Sequence, residues 1–195
     1  MDLAEWIRNK TGTVSIDADF FTRDEERQLA PLVQDCVEEH LAAGARIAFR
    51  DEHVELVQLV SEPVDFILNF DYHMDCRIEF LLGDEPRTPP CNASLFETLL
   101  SSGLTEKYVW AFPSTRSRQA ALVYSSAFIA NRQPRISQLH CVSGRYALER
   151  LLNRATIASI FVCRSPDYAT AGTDAILAGL RSLVGPALPS DFETR

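Results

Sequence analysis

The sequence predicts a three-layer α/β/α fold around a mainly parallel sheet, and three observations carry that prediction. Short β-type runs alternate with stretches of helical periodicity. The run Val64 to Phe70 is mostly apolar, as a strand is when helices cover both faces of its sheet. No internal repeat, low-complexity tract or linker interrupts the chain, so residues 1–195 are expected to form one domain.

The first strand is Thr13 to Ile16, which ends at Asp17-Ala18-Asp19. Thr22 is the expected N-cap of a helix over Glu25 to Ala43, with Leu29, Leu32, Val33, Cys36, Val37 and Leu41 on one face and Gly44 as its stop. Ala45 to Phe49 reads as the next strand, followed by a helical turn through Val54 to Val60, and Ser61-Glu62-Pro63 leads into the strand at Val64. Residues 83–90 form a loop by composition. A helix is expected near Ser94 to Ser101 and a strand over Lys107 to Phe112, ended by Pro113. The apolar run Ala120 to Ile129 suits either type of element and is taken as a strand. Tyr146 to Asn153 reads as helix, Thr156 to Cys163 as a buried strand with Arg164 to Tyr168 as the loop at its carboxyl end, and Thr173 to Val184 as a last helix stopped by Gly185-Pro186.

With 46% hydrophobic and 24% charged residues, the 195-residue chain can bury a sizeable core. Its net charge of -8, with no basic block, argues against nucleic acid as a partner and favours a cationic substrate. No stretch approaches the length of a membrane span and the start lacks the pattern of a signal peptide, so a cytoplasmic protein is expected. Five widely spaced cysteines include no Cys-x-x-Cys pair; reduced thiols are expected, and Asn92-Ala93-Ser94 is not read as a glycosylation site.

The chemistry gathers where expected strands end. Asp17 and Asp19 follow the first, His53 the second, and Asp71, His73 and Asp75 the third, at every second position. Four carboxylates and two imidazoles meet if those strands are neighbours. Packed together without cations, the carboxylates would repel and take up protons. Two hard or borderline dications, Mn²⁺ especially, would balance them better than a single thiolate-type zinc.

Glu52-His53, Asp71-Tyr72-His73-Met74-Asp75 and Ser15-Ile16-Asp17-Ala18-Asp19 resemble the three metal-binding motifs of the arginase (ureohydrolase) superfamily. The stretches Ile47 to Glu55 and Asn69 to His73, with Arg164-Ser165-Pro166-Asp167-Tyr168, are similar to the small peptide arginase family. In arginases the Asp-x-Asp motif comes last; here it comes first, as if the chain were permuted, and Phe20-Phe21 replaces the trailing Asp-Pro. The resemblance implies an arginase-like fold with two Mn²⁺ ions. Asp71 and Asp17 would bridge them, His53 and Asp75 would complete one metal site, and His73 and Asp19 the other. It further implies hydrolysis of arginine side chains in a ribosomally made precursor peptide to ornithine and urea, by hydroxide generated from a bridging water.

A guanidinium substrate needs a carboxylate that can grip it in bidentate fashion, and Asp167, Glu52 and Glu55 are the candidates in that order. For the proton taken by the departing amine the candidate is His140, expected in a loop, whereas His40 falls on the helix of Glu25 to Ala43. Two rival functions remain. One is hydrolysis of another C–N bond, in an agmatine-like guanidine or an acylated amine, the latter with a single zinc. The other is a catalytically silent module that holds a peptide.

Overall fold

The structure, a computed structural model, describes residues 2–130 and 135–184. Strands β1 (Thr11–Asp17), β2 (Arg46–Arg50), β3 (Val64–Phe70), β4 (Thr105–Phe112), β5 (Leu139–Ser143) and β6 (Thr156–Cys163) form one sheet in the order β2-β6-β1-β3-β4-β5. All five of its ladders are parallel. The helices are α1 (Leu3–Trp6), α2 (Asp24–Arg27), α3 (Ala30–Ala42), α4 (Leu56–Leu59), α5 (Ile78–Leu81), α6 (Leu95–Ser101), α7 (Ser117–Ala130), α8 (Gly144–Tyr146) and α9 (Ala171–Ser182). None is long and apolar enough to cross a membrane.

The sheet is buried on both faces, which is why β3 is mostly apolar, although β1 beside it buries Thr13, Ser15 and Asp17. Val14, Ile16, Phe66, Leu68 and Phe70 join Leu3, Val33, Val37, Leu177 and Leu180 in one apolar core, so α1, α3 and α9 cover that face. Ile67, Tyr108, Trp110 and Phe161 join Leu56, Phe80, Phe96, Leu99 and Val123 in a second core, under α4, α5, α6 and α7. This is the expected α/β/α arrangement with a parallel sheet.

From β1 the chain passes to β2 at one edge of the sheet, then to β3 on the other side of β1. The direction of winding therefore reverses between β1 and β3, and the crevice beyond their carboxyl ends is where open parallel sheets place ligands. Ser15 pairs with Asn69 and Ile16 with Phe70, so Asp17 and Asp71 leave the sheet side by side.

Several expectations need correction. The segment Ala120 to Ile129, taken as a strand, belongs to helix α7. Ala120 and Val123 are buried three positions apart while Leu122 is exposed, a helical spacing that an apolar run masks in sequence. The helix expected over Glu25 to Ala43 is two helices: Pro31 lies in the first turn of α3, where a missing N–H costs nothing. The break rephases the faces and leaves Leu32 41% exposed. Arg23, not Thr22, holds the N-cap position of α2. The stretch Tyr146 to Asn153 is helical but irregular, a π-turn over Ala147–Leu151 followed by a 3-10 turn over Leu152–Arg154. Helix α9 begins at Ala171, where Thr170 caps it through the N–H of Thr173. Its expected stop, Gly185-Pro186, lies outside the described residues. Helices α1 and α5 and strand β5 were not foreseen.

Gly12 on β1 is required by close approach: a Cβ there would lie 2.3 Å from Cζ of Phe66, a ring with no exposed surface in which to retreat. Gly12→Ala should destabilise the fold by about 1–3 kcal/mol, as overpacking of a filled core does, with the urea midpoint as the readout.

Candidate metal centre

All six proposed ligands meet in the crevice between β1 and β3. His53 Nδ1 is 2.8 Å from Asp75 Oδ2 and 3.3 Å from both Asp17 Oδ2 and Asp71 Oδ2. His73 Nδ1 is 2.9 Å from Asp19 Oδ2. The ligand atoms fall into two three-residue groups, Asp17 with His53 and Asp71, and Asp19 with Asp71 and His73. Asp71 belongs to both, as a carboxylate shared between two cations must. Asp17 belongs to the His53 group alone.

Local structure explains how each side chain arrives. Asp17 ends β1, and its Oδ1 accepts the N–H of Asp19, which curls the chain into a 3-10 turn and brings Asp19 back over the sheet. Asp71 does the same after β3, its Oδ1 accepting the N–H of His73 at 2.7 Å. The ligands Asp71, His73 and Asp75 were expected on a strand end with alternating orientation, but β3 stops at Phe70 and they ride on a loop that wraps around the centre. Asp75 pays for its inward direction with a left-handed backbone, φ 50°, a conformation Asp tolerates better than most residues. His53 lies beyond the edge strand β2, its ring stacked on Phe161 and fully buried.

Around the ligands stands a set of polar groups that motif reading missed. Ser15 Oγ is 2.8 Å from His53 Nε2, Ser165 Oγ donates to Asp17 Oδ2 at 2.6 Å, and Asn69 Nδ2 donates to Asp71 Oδ2 at 3.0 Å. Trp110 Nε1 donates to the carbonyl of Asp71. Strand alternation was the available signal for two of them: Ser15 precedes Asp17 by two positions, and Asn69 precedes Asp71 by two, so each leans toward the same face as its ligand. Ser165, like Asp75, has a positive φ, 46°.

Burial and like charge dominate the electrostatics. Desolvation, then the charge of Asp71, pushes the Asp19 carboxyl up to about 7; desolvation, then the charge of Asp75, does the same for Asp71. Burial also works against a charged His53, but the carboxylates of Asp17, Asp71 and Asp75 outweigh it and hold its pKa well above the ordinary value. Asp17 is held low: burial opposes ionisation but is outweighed by His53, Ser165 and the N–H of Asp19.

The residues fit a pair of dications. His53 Nδ1 is buried without a hydrogen bond of acceptable direction, although three carboxylate oxygens crowd it. With its other nitrogen on Ser15, that atom is presented as a donor toward the same point as the carboxylates. The donor set is oxygen-rich with two imidazoles, as hard or borderline dications prefer.

A pH dependence follows. A raised carboxyl or imidazole pKa binds protons more tightly in the folded state, so its stabilisation is lost as pH rises through the folded value. For Asp19 and Asp71 the loss runs from about pH 4 to about 7, and for His53 it continues above 6.5. His40 and His140, whose pKa values burial lowers, act in the opposite sense but equally with or without metal. The melting-temperature gap between manganese-loaded and chelator-treated protein should therefore widen from pH 5 to pH 8. At metal a hundredfold above Kd the gain is about 2.7 kcal/mol, or roughly 5–10 °C for a chain of this length.

The remaining candidates fare unevenly. Asp167 is exposed on the turn after β6, between Ser165, which binds Asp17, and Tyr168, whose ring is 5.2 Å from that of His73. Glu52 is exposed and accepts from Asn92 Nδ2, whereas Glu55 is tied to Arg50 at 3.1 Å, so its carboxylate is already engaged. The expected location of His140 is corrected. It lies on strand β5, not in a loop, and its register partner Val109 pairs with Leu68, three positions short of Asp71. Cys76, next to Asp75, is a buried thiol whose pKa is raised by burial, consistent with packing and not nucleophilicity.

No family model matches the chain, and no curated protein matches it. Among solved structures the chain is similar to a hypothetical agmatinase from Burkholderia thailandensis, at 12% identity and a TM-score of 0.40 over 90% of this chain and 84% of that one. A likeness at that distance bears on neither family nor activity.

Proposed function

We propose that the chain is a binuclear, manganese-dependent hydrolase of the arginase superfamily that converts arginine within a peptide to ornithine and urea. The observation that carries this proposal is the pair of ligand groups sharing Asp71. A deacetylase-type single zinc has no use for the second group, Asp19 with His73.

When bound, such a pair of dications supplies water activated as a nucleophile at neutral pH. The protein's own groups do the rest. Ser15 and Ser165 orient His53 and Asp17, and Asn69 orients Asp71. The mouth lies on the His73 side, where that imidazole is 40% exposed while Asp19 beneath it is 3% exposed. The rings of Tyr72 and Tyr168 flank His73 there, each with its centre 5.2 Å away, and the exposed Tyr168 ring suits a planar cation. Asp167 beside Tyr168 supplies the carboxylate that would grip the guanidinium. An exposed imidazole at the rim favours an arginine carried on a peptide over a small molecule enclosed on all sides.

The test is metal analysis of purified protein, then mass spectrometry of arginine peptides incubated with the manganese-loaded enzyme. Two metals per chain, loss of CH₂N₂ from the arginine and stoichiometric urea are expected. One zinc per chain with release of acetate from acetyl-lysine would replace this proposal by the deacetylase. Peptide retained without product would replace it by the silent module.

A further inference from the structure

A second cavity, of about 280 Å³, opens at the same end of the sheet on its β4–β5 side. Phe20, Glu25, Glu26, Phe112, Ser114 and Arg145 are among the residues that line it. Phe20 follows Asp19 directly, and the turn Ser114–Arg116 runs from this cavity to Tyr72, where the Arg116 guanidinium lies 3.9 Å from the ring centre. The cavity thus adjoins the metal centre without sharing a ligand with it.

Its acidic wall is incompletely satisfied. Glu26 is 2% exposed, and its Oε1 accepts the N–H of Ser114 at 2.8 Å. Ser114 Oγ is within hydrogen-bond distance of both Glu25 Oε2 and Glu26 Oε1, at 2.5 and 2.9 Å. A hydroxyl has one hydrogen, so it serves only one of these carboxylates at a time. Glu26 Oε2 is buried and makes no hydrogen bond among the described residues. A buried carboxylate oxygen left in that state is costly, and a donor bearing positive charge relieves it best.

We propose that this cavity is a subsite for a lysine or arginine side chain of the peptide substrate, its cationic head on Glu26 and Glu25 and its methylene stem against the partly exposed Phe112. A metal ion is the poorer occupant. The cavity far exceeds an ion's size, and neither group of potential metal ligands among the described residues includes Glu25 or Glu26. An ammonium brings three donors, and its apolar stem matches the aromatic wall. The cation on the wall itself, Arg145, is engaged 3.2 Å from Glu149 on the same helical stretch. The subsite deepens the proposed function, on which it rests for the claim that the bound peptide is a substrate: the substrate would carry a second basic residue near the reacting arginine.

Two measurements test it. The first is calorimetric binding of arginine-free peptides that carry either lysine or norleucine, which needs no turnover. The second is KM for arginine peptides with lysine or norleucine placed at successive flanking positions. Wild type should prefer lysine by about tenfold at one spacing, the equivalent of one charge-assisted hydrogen bond. Glu26→Gln, which keeps an acceptor for Ser114 N–H, should bring the ratio toward one. The exposed Glu25→Gln should lower it with no risk to the fold. Equal binding of lysine and norleucine peptides by wild type, or an undiminished preference in a folded Glu26→Gln variant, would overturn the subsite. If lysine is preferred in binding but no arginine peptide is hydrolysed, the subsite stands and the hydrolase proposal falls.

Discussion

Asp71→Asn should lose both metals and all urea release while leaving the metal-free protein at least as stable as wild type. Asp71 is the residue common to both ligand groups, so its loss damages two sites at once. Removal of an outer hydrogen-bonding partner of a ligand typically costs about 10- to 100-fold in affinity, and loss of a shared ligand should exceed that. Stability in the absence of metal should move the other way. The carboxylate is buried beside Asp75 and Asp17, and desolvation and those charges make its ionised form unfavourable. A neutral amide removes that repulsion. It can still accept the N–H of His73, and Asn69, whose Oδ1 has no partner among the described residues, can turn to accept from the new amide. Thermal melts with and without manganese separate the possibilities. A structural Asp71 would give a lower melting temperature in both conditions; a metal-bridging Asp71 gives the same or a higher one without metal and no increment with it. Wild-type urea release from this variant would refute the centre.

Much of this centre was legible in sequence because each ligand follows a β-type run, and strands of a parallel sheet end on the same side. What the sequence order concealed was adjacency. The early Asp17-x-Asp19 motif precedes both others, yet β1 lies beside β3, and the ladder Ile16–Phe70 sets Asp17 next to Asp71 whatever the order of the motifs in the chain. Coordination requires convergence in space, so a permuted connection leaves the centre intact. Strand β5 was missed because Leu139 to Ser143 carries a His, a Cys and a Ser, and an edge strand of five residues buries only one of them fully. That omission in turn misplaced His140 in a loop. Helix α7 was mistaken because a run such as Ala120 to Ile129, apolar but for Ser125-Ser126 in its middle, shows no polar face until its neighbours are known. The acidic cavity was invisible for a different reason: Glu26 and Ser114 are 88 positions apart and joined by nothing a motif records.

The same kind of distant pairing supports the loop that carries His73 and Asp75, and Glu97→Ala should show it through a loss of stability that metal does not explain. Glu97 on α6 has no exposed surface. Its Oε1 accepts from the backbone N–H and Nε of Arg77 at 3.0 and 2.7 Å, and its Oε2 from an Arg77 terminal nitrogen and the N–H of Arg87 at 2.8 and 3.0 Å. One carboxylate thus fixes the end of the 71–77 loop and the return of the 83–90 loop. Burial alone would raise its pKa, but the Arg77 bonds and the two backbone N–H groups hold it below the ordinary value, so this stabilisation is present at neutral pH and fades as the solution is acidified through the Glu97 pKa. Truncation leaves two backbone donors and a guanidinium without their acceptor. Arg77 is 33% exposed and can turn partly to water, so the cost should fall near the lower end of that for breaking a buried pair, about 3 kcal/mol, or roughly 6–12 °C in melting temperature. Metal affinity should fall as well, since Asp75, with its left-handed backbone, is two residues from the anchor. The discriminating comparison is with Asp71→Asn. Glu97→Ala melts early without metal and retains a reduced metal increment; Asp71→Asn melts normally without metal and has none. If Glu97→Ala instead leaves the metal-free melting temperature unchanged, the loop is held by its apolar contacts, and the Arg77–Glu97 pair contributes nothing to the placement of His73 and Asp75.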